Sequence, residues 1–223
     1  MNNLILKSMC ASMLLLGSAA CTDSKQYQTS YCALVDTSGT YASEKNNVVN
    51  IVKAGVIPQM VPGDSLFFVK IDSNSYTEDN LVTKLTLDYR PSKANSQKQA
   101  LATTLDKFAG GKARSKLTDI SGALMLCSDY LKATKSGRQI MFVFSDMKEE
   151  LPKGAVRHFE SDEFDGINIA AMNVIKLNKD SSNPEVYRSR LRKWDERLVS
   201  SGAKSWETLI DVSKIQEFIY AIK

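Results

Sequence analysis

The sequence predicts an α/β domain in which a mostly parallel, doubly wound sheet of six strands carries helices on both faces. Short apolar runs typical of buried parallel strands recur along the chain. Stretches with apolar residues at helical spacing separate most of them, and parallel strands need such crossovers. The 223 residues, 43% hydrophobic and 24% charged, are enough for one well-cored domain of this kind.

The strands follow from runs of apolar residues, taken in chain order. Tyr31 to Asp36 is an apolar run that ends in an acid, and Leu66 to Ile71 is a second buried strand. Thr83 to Leu87 alternates, which predicts a half-exposed, antiparallel edge strand. Three further strands are expected at Ile140 to Phe144, within Ile167 to Leu177, and near Thr208 to Ile210.

The helices follow from apolar residues three or four positions apart. The first carries Val48 to Val56 and closes at Pro58, and the second carries Leu101 to Phe108 and stops at Gly110. The later helices rest on three stripes: Ile120, Leu124, Cys127 and Leu131; Tyr187, Leu191, Trp194 and Leu198; Val212, Ile215, Ile219 and Ile222. No element is assigned to the polar stretch 148–166.

The N-terminus has the pattern of an export signal. Lys7 precedes an apolar stretch that is too short to span a bilayer and that ends in small residues before Cys21. We therefore expect a signal peptide over 1–20, a short tether over 21–29 and the domain over 30–223. Cys21 resembles the acylated cysteine of a bacterial lipobox, although Ser18 stands where an aliphatic residue is usual. Ordinary cleavage after Ala20, with release into the periplasm, is the alternative.

The lipobox resemblance implies a location. A diacylated Cys21 would anchor the protein to the bacterial cell envelope through its lipid. By similarity to enterobacterial lipoproteins, Thr22 at the next position permits export to the outer membrane, with the domain facing the periplasm.

Oxygen-bearing side chains follow the predicted strands at positions that meet at one edge of the sheet. The first strand ends in Asp36-Thr37-Ser38-Gly39-Thr40, and a later one ends in Ser145-Asp146. Thr118 and Asp119 precede a predicted helix. Ligands bind at the carboxyl ends of parallel strands. Two carboxylates and several hydroxyls at one point favour a hard cation, Mg²⁺ or Mn²⁺.

This pattern resembles the metal-ion-dependent adhesion site of von Willebrand factor A domains, which include integrin I domains and have a Rossmann-like fold. The matching residues are Asp36, Ser38, Thr40, Thr118 and Asp146. The resemblance extends from about Tyr31 to the C-terminus. It implies direct metal ligation by the Ser38 and Thr40 hydroxyls, ligation by Thr118 when ligand is bound, and a charged framework from Asp36 and Asp146.

The resemblance also implies a partner, and two positions depart from the family pattern. In this family a partner protein completes the coordination of the metal with an acidic side chain. Thr40 replaces a second serine and keeps its hydroxyl. Met147 stands where the family usually has glycine, so the shape of that loop is open.

Two other interpretations of the same residues stay open. Thr118 or Asp119 could simply cap the following helix. Asp36 and Asp146 could serve a magnesium-dependent phosphohydrolase or a PIN-like nuclease. Those enzymes need a second acid at Ser38 or three to four converging carboxylates, for which only Asp119 and Glu44 are available. The sequence therefore favours an interaction protein over an enzyme.

Cys32 and Cys127 are expected to be neighbours. Cys10 leaves with the leader and Cys21 is assigned to the lipid, which leaves this pair. Cys32 lies about 13 Å down its strand from Asp36, and Cys127 lies about 13 Å down its helix from Thr118. The two thiols should meet in the core, either bridged or packed as small apolar groups.

The remaining conspicuous residues are given ordinary roles. His158, the sole histidine, has no partner histidine or cysteine and is expected in a loop. Trp206 is expected to be buried. The net charge of +4 is spread along the chain, so no nucleic-acid partner is expected. A basic run is assigned to a solvated helix face: Arg188, Arg190, Arg192, Lys193 and Arg197.

Overall fold

The computed structural model describes residues 24–111 and 115–222, which form a six-stranded sheet with helices on both faces. The strands lie in the order β3-β2-β1-β4-β5-β6. Their bounds are β1 Thr29–Asp36, β2 Ser65–Ile71, β3 Leu81–Thr86, β4 Arg138–Phe144, β5 Ile167–Met172 and β6 Ser205–Leu209. Only β3 runs antiparallel to its neighbour among these strands. The predicted fold class is confirmed.

Helices connect most of the strands. Their bounds are α1 Lys45–Ile51, α2 Pro91–Gly110, α3 Ile120–Thr134, α4 Asn178–Ser182, α5 Pro184–Ser200 and α6 Val212–Ile222. Short 3-10 turns complete the list at Ser24–Tyr27, Ala42–Glu44, Ile57–Gln59 and Glu78–Asn80. The helical path of α1 continues through a π-helical segment, Val52–Val56, into the turn that contains Pro58.

The two faces of the sheet bury two separate hydrophobic clusters, because alternate residues of a strand point to opposite faces. In β1, Tyr31 and Val35 pack with α1, α2 and α6, whereas Cys32 and Leu34 pack with α3 and α5. All residues of β1 and β5 are buried, while β3 is half-exposed. Burial on both faces explains why the central strands have nearly continuous apolar sequences.

The structure differs from the sequence-based prediction in two elements. The polar helix α4 was not predicted because its five residues carry no apolar stripe. It is held instead by a buried Asp180, which pairs with Arg190 of α5 at 2.6 Å. Strand β6 begins at Ser205, earlier than predicted, because Ser205 already pairs with Asn168 of β5. That pairing is a tertiary interaction that a single segment does not encode.

A disulfide joins Cys32 of β1 to Cys127 of α3, with their Cα atoms 6.0 Å apart. Both residues are fully buried in the cluster under α3 and α5. The predicted proximity of the two thiols is therefore confirmed, and the structure decides between the two options in favour of the bridge. The link fixes α3 over the first strand.

The segment between β4 and β5 follows an irregular path over α3. Phe164 is fully buried and packs edge-on against Phe159, with ring centroids 4.8 Å apart. His158 is exposed in this segment, as expected for a loop residue. Trp206 was expected to be buried but is only half-buried against the cluster under α3 and α5, because it lies on the edge strand β6. Among residues 24–111 and 115–222, none of the helices combines the length and the apolar character of a transmembrane span. The predicted signal peptide and Cys21 lie outside the described residues.

Candidate metal centre

The two central strands, β1 and β4, place two acids side by side at their carboxyl ends. Asp36 ends β1 and is fully buried. Its Oδ1 accepts a hydrogen bond from the Ser38 backbone N–H at 2.7 Å. Its Oδ2 accepts one from the Ser145 hydroxyl at 2.7 Å. The carboxylate thus connects the loop after β1 to the end of the neighbouring strand β4.

Asp146 follows β4 and closes the same arrangement from the other side. Its Oδ1 accepts a hydrogen bond from the Lys148 backbone N–H at 2.8 Å, and its Oδ2 accepts one from the Thr40 hydroxyl at 3.2 Å. Between them, Met147 adopts a left-handed backbone with φ of 61°. Glycine adopts this conformation without strain. The loop therefore has the backbone shape that a glycine would favour, although methionine occupies the position.

The adjacent residues Thr118 and Asp119 make different contacts and have different roles. Asp119 caps α3, because its carboxylate accepts the Gly122 backbone N–H at 2.8 Å. The same carboxylate pairs with Arg157 at 2.6 Å. Thr118 instead exchanges two backbone hydrogen bonds with Glu150, each 2.9 Å long. Its hydroxyl is not the helix cap, and the residue borders a cavity at the sheet edge.

That cavity, called the metal cavity below, brings four of the five predicted ligands together. It has a volume of about 510 Å³ and is lined by Ser38, Thr40, Thr118 and Asp146, among others. Asp36 lies beneath them, hydrogen-bonded to Ser38. Residues from three distant stretches of sequence therefore border one cavity at the carboxyl ends of β1 and β4.

The cavity also contains residues that the sequence did not single out. They are Gly39, Ser115, Lys116, Lys148 and Glu150. Ser115 donates its backbone N–H to the Thr37 carbonyl at 3.0 Å, which holds the segment before α3 against the loop after β1. Lys148 and Glu150 form an ion pair at the rim. These positions carry no local sequence signal, because only the folding of two irregular segments brings them to the site.

Two further residues fix the loop after β1. Tyr41 is fully buried and donates its hydroxyl to the Asn173 carbonyl, just beyond β5, at 2.9 Å. The Asn173 side chain in turn donates to Glu44 at 3.0 Å. Glu44 is therefore engaged with the end of β5. The bond between Tyr41 and Asn173 anchors the loop that carries Ser38 and Thr40 to a third strand.

Burial sets the electrostatics of the site. Desolvation raises the pKa of Asp36 above its usual range, and the nearby charge of Asp146 raises it further, against the hydrogen bonds from Ser145 and Ser38. Desolvation likewise raises the pKa of Asp146, against hydrogen bonds from Lys148 and Thr40. The state in which both buried carboxylates are charged is unfavourable, because they are desolvated and repel each other. A bound cation would offset this cost.

The donor set fits a divalent magnesium-type cation. Two carboxylates roughly neutralise its charge, and the hydroxyls of Ser38, Thr40 and Thr118 supply further oxygens without adding charge. All of these donors are oxygens, so a soft metal that prefers sulfur or imidazole is disfavoured. The site also opens into a cavity of about 510 Å³, from which a further oxygen ligand could approach.

Comparison with known proteins bears on the fold. The sequence matches no family model and no curated protein. Among solved structures, proximal thread matrix protein 1 from the mussel byssus is similar at a TM-score of 0.52 and 13% identity, over 88% of this chain and 45% of that one. A von Willebrand factor type A protein from Catenulispora acidiphila is similar at a TM-score of 0.50 and 10% identity, over 87% of this chain and 42% of that one.

The chain thus spans less than half the length of each of these two structures. Identities this low establish the architecture alone. The sheet order, the single antiparallel edge strand and the helices on both faces agree with it. This chain has the fold of a von Willebrand factor A-type domain.

Proposed function

We propose that the protein is an interaction protein that binds a partner protein through a divalent metal ion at the carboxyl edge of the sheet. One observation carries this proposal. Ser38, Thr40, Thr118 and Asp146 line a single cavity, and Asp36 lies directly beneath it. These five residues are the ones that resemble the adhesion-type metal site.

Each residue has a proposed role. The hydroxyls of Ser38 and Thr40 would hold the metal, and Thr118 would join them when a partner is bound. Asp36 and Asp146 would supply the negative charge that keeps the cation in place. The metal, when bound, would act as a Lewis acid that attracts a carboxylate oxygen from the partner.

The arrangement of the acids favours this proposal over a metal-dependent hydrolase. Within the part of the chain that the structure describes, no group of three or more histidine, cysteine or acidic side chains is placed to hold a metal. Asp119 is engaged by Arg157 and by the start of α3, and Glu44 is engaged by Asn173. The extra carboxylates that a nuclease would need are therefore committed elsewhere.

The proposal predicts that Mg²⁺ or Mn²⁺ raises the melting temperature of the chelator-treated protein. A ligand bound only by the folded state at 100 times its Kd stabilises by about 2.7 kcal/mol. For a chain of this size that corresponds to a shift of roughly 5–10 °C. The shift should disappear in Asp36→Asn and Asp146→Asn, which nearly preserve side-chain shape. Differential scanning calorimetry with and without chelator measures it.

Asp64→Asn is the matched control for this experiment. Asp64 is also buried, but it lies at the opposite end of the sheet, where it accepts the backbone N–H of Thr29 at 2.8 Å. This variant should keep the full response to the metal. An equal response in the Asp36 and Asp146 variants and the parent protein would refute the metal site.

We also propose that the protein is anchored in the bacterial cell envelope through a lipid on Cys21. The lipobox-like sequence before Cys21 supports this proposal. The disulfide supports it as well, because Cys32 and Cys127 are paired with each other and need no third cysteine.

A further inference from the structure

A second cavity, the α5 groove, adjoins the metal cavity. It has a volume of about 860 Å³ and lies between α5, α4 and the segment that follows β4. Thr40 and Lys148 line both cavities. A peptide chain with one residue at the metal cavity could therefore continue directly into the groove. The volume lies within the range of pockets that enclose small ligands, so it suits a short segment.

The floor of the α5 groove is attached to the loop that carries Asp146. Trp194 is 4% exposed, and its indole N–H donates to the Met147 carbonyl at 2.9 Å. Met147 directly follows Asp146, so the groove and the metal cavity are held in a fixed relation. The Arg197 guanidinium lies 4.6 Å from the Trp194 ring and covers it. Leu177 and Val186 add apolar surface to the lining.

The charges along the α5 groove are mostly positive. Five cationic side chains line it against three carboxylates. Each carboxylate is already neutralised by an arginine: Asp180 by Arg190 at 2.6 Å, Glu149 by Arg197 at 3.4 Å and Glu185 by Arg188 at 2.9 Å. The pair with Arg190 also lowers the pKa of Asp180.

Two lysines are left to face a ligand. Lys179 of α4 and Lys193 of α5 are exposed, and in the described ranges neither side chain makes a hydrogen bond or ion pair with the protein. Lys148 stands between the groove and the metal cavity, where it pairs with Glu150. The groove thus presents positive charge beside an apolar floor.

We propose that the α5 groove binds an acidic segment of the partner protein, adjacent to the carboxylate that reaches the metal. This inference rests on the proposed function and adds the chemical class of the partner. Acidic side chains of the segment would face Lys179 and Lys193, and an apolar side chain would pack against Leu177 and Val186. A flat anionic membrane surface would match the lysines but could not enter the groove.

A selection experiment tests this proposal. A display library of random 12-residue peptides is selected on the purified protein, once with Mg²⁺ and once with chelator. Selected peptides should depend on Mg²⁺ and should contain more than one acidic residue. Their affinity is then measured for the parent protein and for the variant Lys179→Glu/Lys193→Glu. Two reversals of partly exposed charge should weaken binding by about tenfold at low salt, and by less at high salt.

The matched control carries the same change in net charge away from the groove. Lys93→Glu/Arg192→Glu reverses two exposed cations that do not line it. This variant should bind the selected peptides like the parent protein. The melting temperature of both variants, measured with chelator, shows that they are folded.

The outcomes separate the two proposals. One contrary outcome is that the selected peptides depend on Mg²⁺ but lack acidic enrichment, or bind both double variants with equal affinity. Either result would contradict binding of an acidic segment at the α5 groove without contradicting the metal site. Acidic peptides that bind equally with chelator, but lose affinity in Lys179→Glu/Lys193→Glu, would support the groove and contradict the metal. Failure to select any peptide would overturn the peptide assignment. Binding to phosphatidylglycerol vesicles would overturn it as well, if co-sedimentation is lost in Lys179→Glu/Lys193→Glu and kept in the control variant.

Discussion

At the scale of single residues, Lys135 and Met147 share one backbone conformation in opposite environments. Both have positive φ, 56° and 61°. Lys135 is exposed at the end of α3, whereas Met147 is 1% exposed in the cluster under α3 and α5. A left-handed backbone costs roughly 1–2 kcal/mol for a residue with a side chain. Glycine would relieve this strain at both positions, but only Met147 has buried apolar contacts to lose.

We predict opposite effects of glycine at these two positions. Lys135→Gly should raise the free energy of unfolding by about 0.5–1 kcal/mol, because part of the relief is offset by the greater freedom of glycine in the unfolded chain. Met147→Gly should lower it by about 2–4 kcal/mol, because truncating a buried methionine costs more than the strain. Urea unfolding in the presence of chelator measures both. A shift in the same direction for the two variants would contradict this account.

The residue scale also decides between neighbours that the sequence leaves equivalent. Either Thr118 or Asp119 could cap α3 by residue type alone. The cap is Asp119, because its carboxylate reaches the Gly122 N–H and is paired with Arg157. Thr118 is thereby left to border the metal cavity. Arg157 comes from the irregular segment after β4, so no local pattern could assign it.

At the scale of elements, the disulfide connects a central strand to the helix that covers it. Cys32 and Cys127 are 95 residues apart in sequence. Closing a loop of this length removes much of the freedom of the unfolded chain. The link also connects β1, which ends in Asp36, to α3, which begins just after Thr118.

We predict that Cys32→Ala/Cys127→Ala lowers the free energy of unfolding by about 3–5 kcal/mol, as expected for a loop of roughly 100 residues. Both side chains stay small and apolar, so the change measures mainly the loss of the link. A reductant should lower the melting temperature of the parent protein and leave that of the double variant unchanged. Equal stability of the two proteins under oxidising conditions would argue against the bridge.

At the scale of the whole molecule, the N-terminal segment and the metal cavity lie at opposite ends of the central strands. Gly137 and Arg138, at the start of β4, donate backbone hydrogen bonds to Lys25 and Gln28. The metal cavity lies where β1 and β4 end. At about 3.3 Å per residue, the eight residues of β1 separate these ends by roughly 26 Å. A lipid on Cys21 would therefore leave the cavity facing away from the membrane, accessible to a partner.

We predict a diacylated Cys21 at the mature N-terminus. Mass spectrometry of protein from envelope fractions should find this modification, and Cys21→Ser should move the protein out of the membrane fraction. Cys10→Ser, a cysteine change within the predicted signal peptide, should have no such effect. An unmodified Cys21 on a freely periplasmic protein would refute the anchor.

The fold class, most of the strands and the placement of the candidate site residues at one end of the sheet could be predicted from the amino-acid sequence. Helical and strand periodicities are local, and a strand's carboxyl end is fixed by chain direction. Asp36, Ser38, Thr40 and Asp146 can therefore be assigned to one edge of the sheet from the order of residues alone. Their backbone positions follow from the direct pairing of β1 with β4, two central strands whose faces are covered by helices.

The folded structure sets which residues far apart in sequence meet. In it, Cys32 is bonded to Cys127 and Asp119 caps α3. The ion pair between Asp180 and Arg190 holds α4 against α5. Folding also creates the α5 groove beside the metal cavity. These features depend on side chains far apart in sequence, and irregular segments such as 148–166 carry no period that would place them. Their positions are set by packing and by the pairing of buried charges, which exist only once the chain has folded.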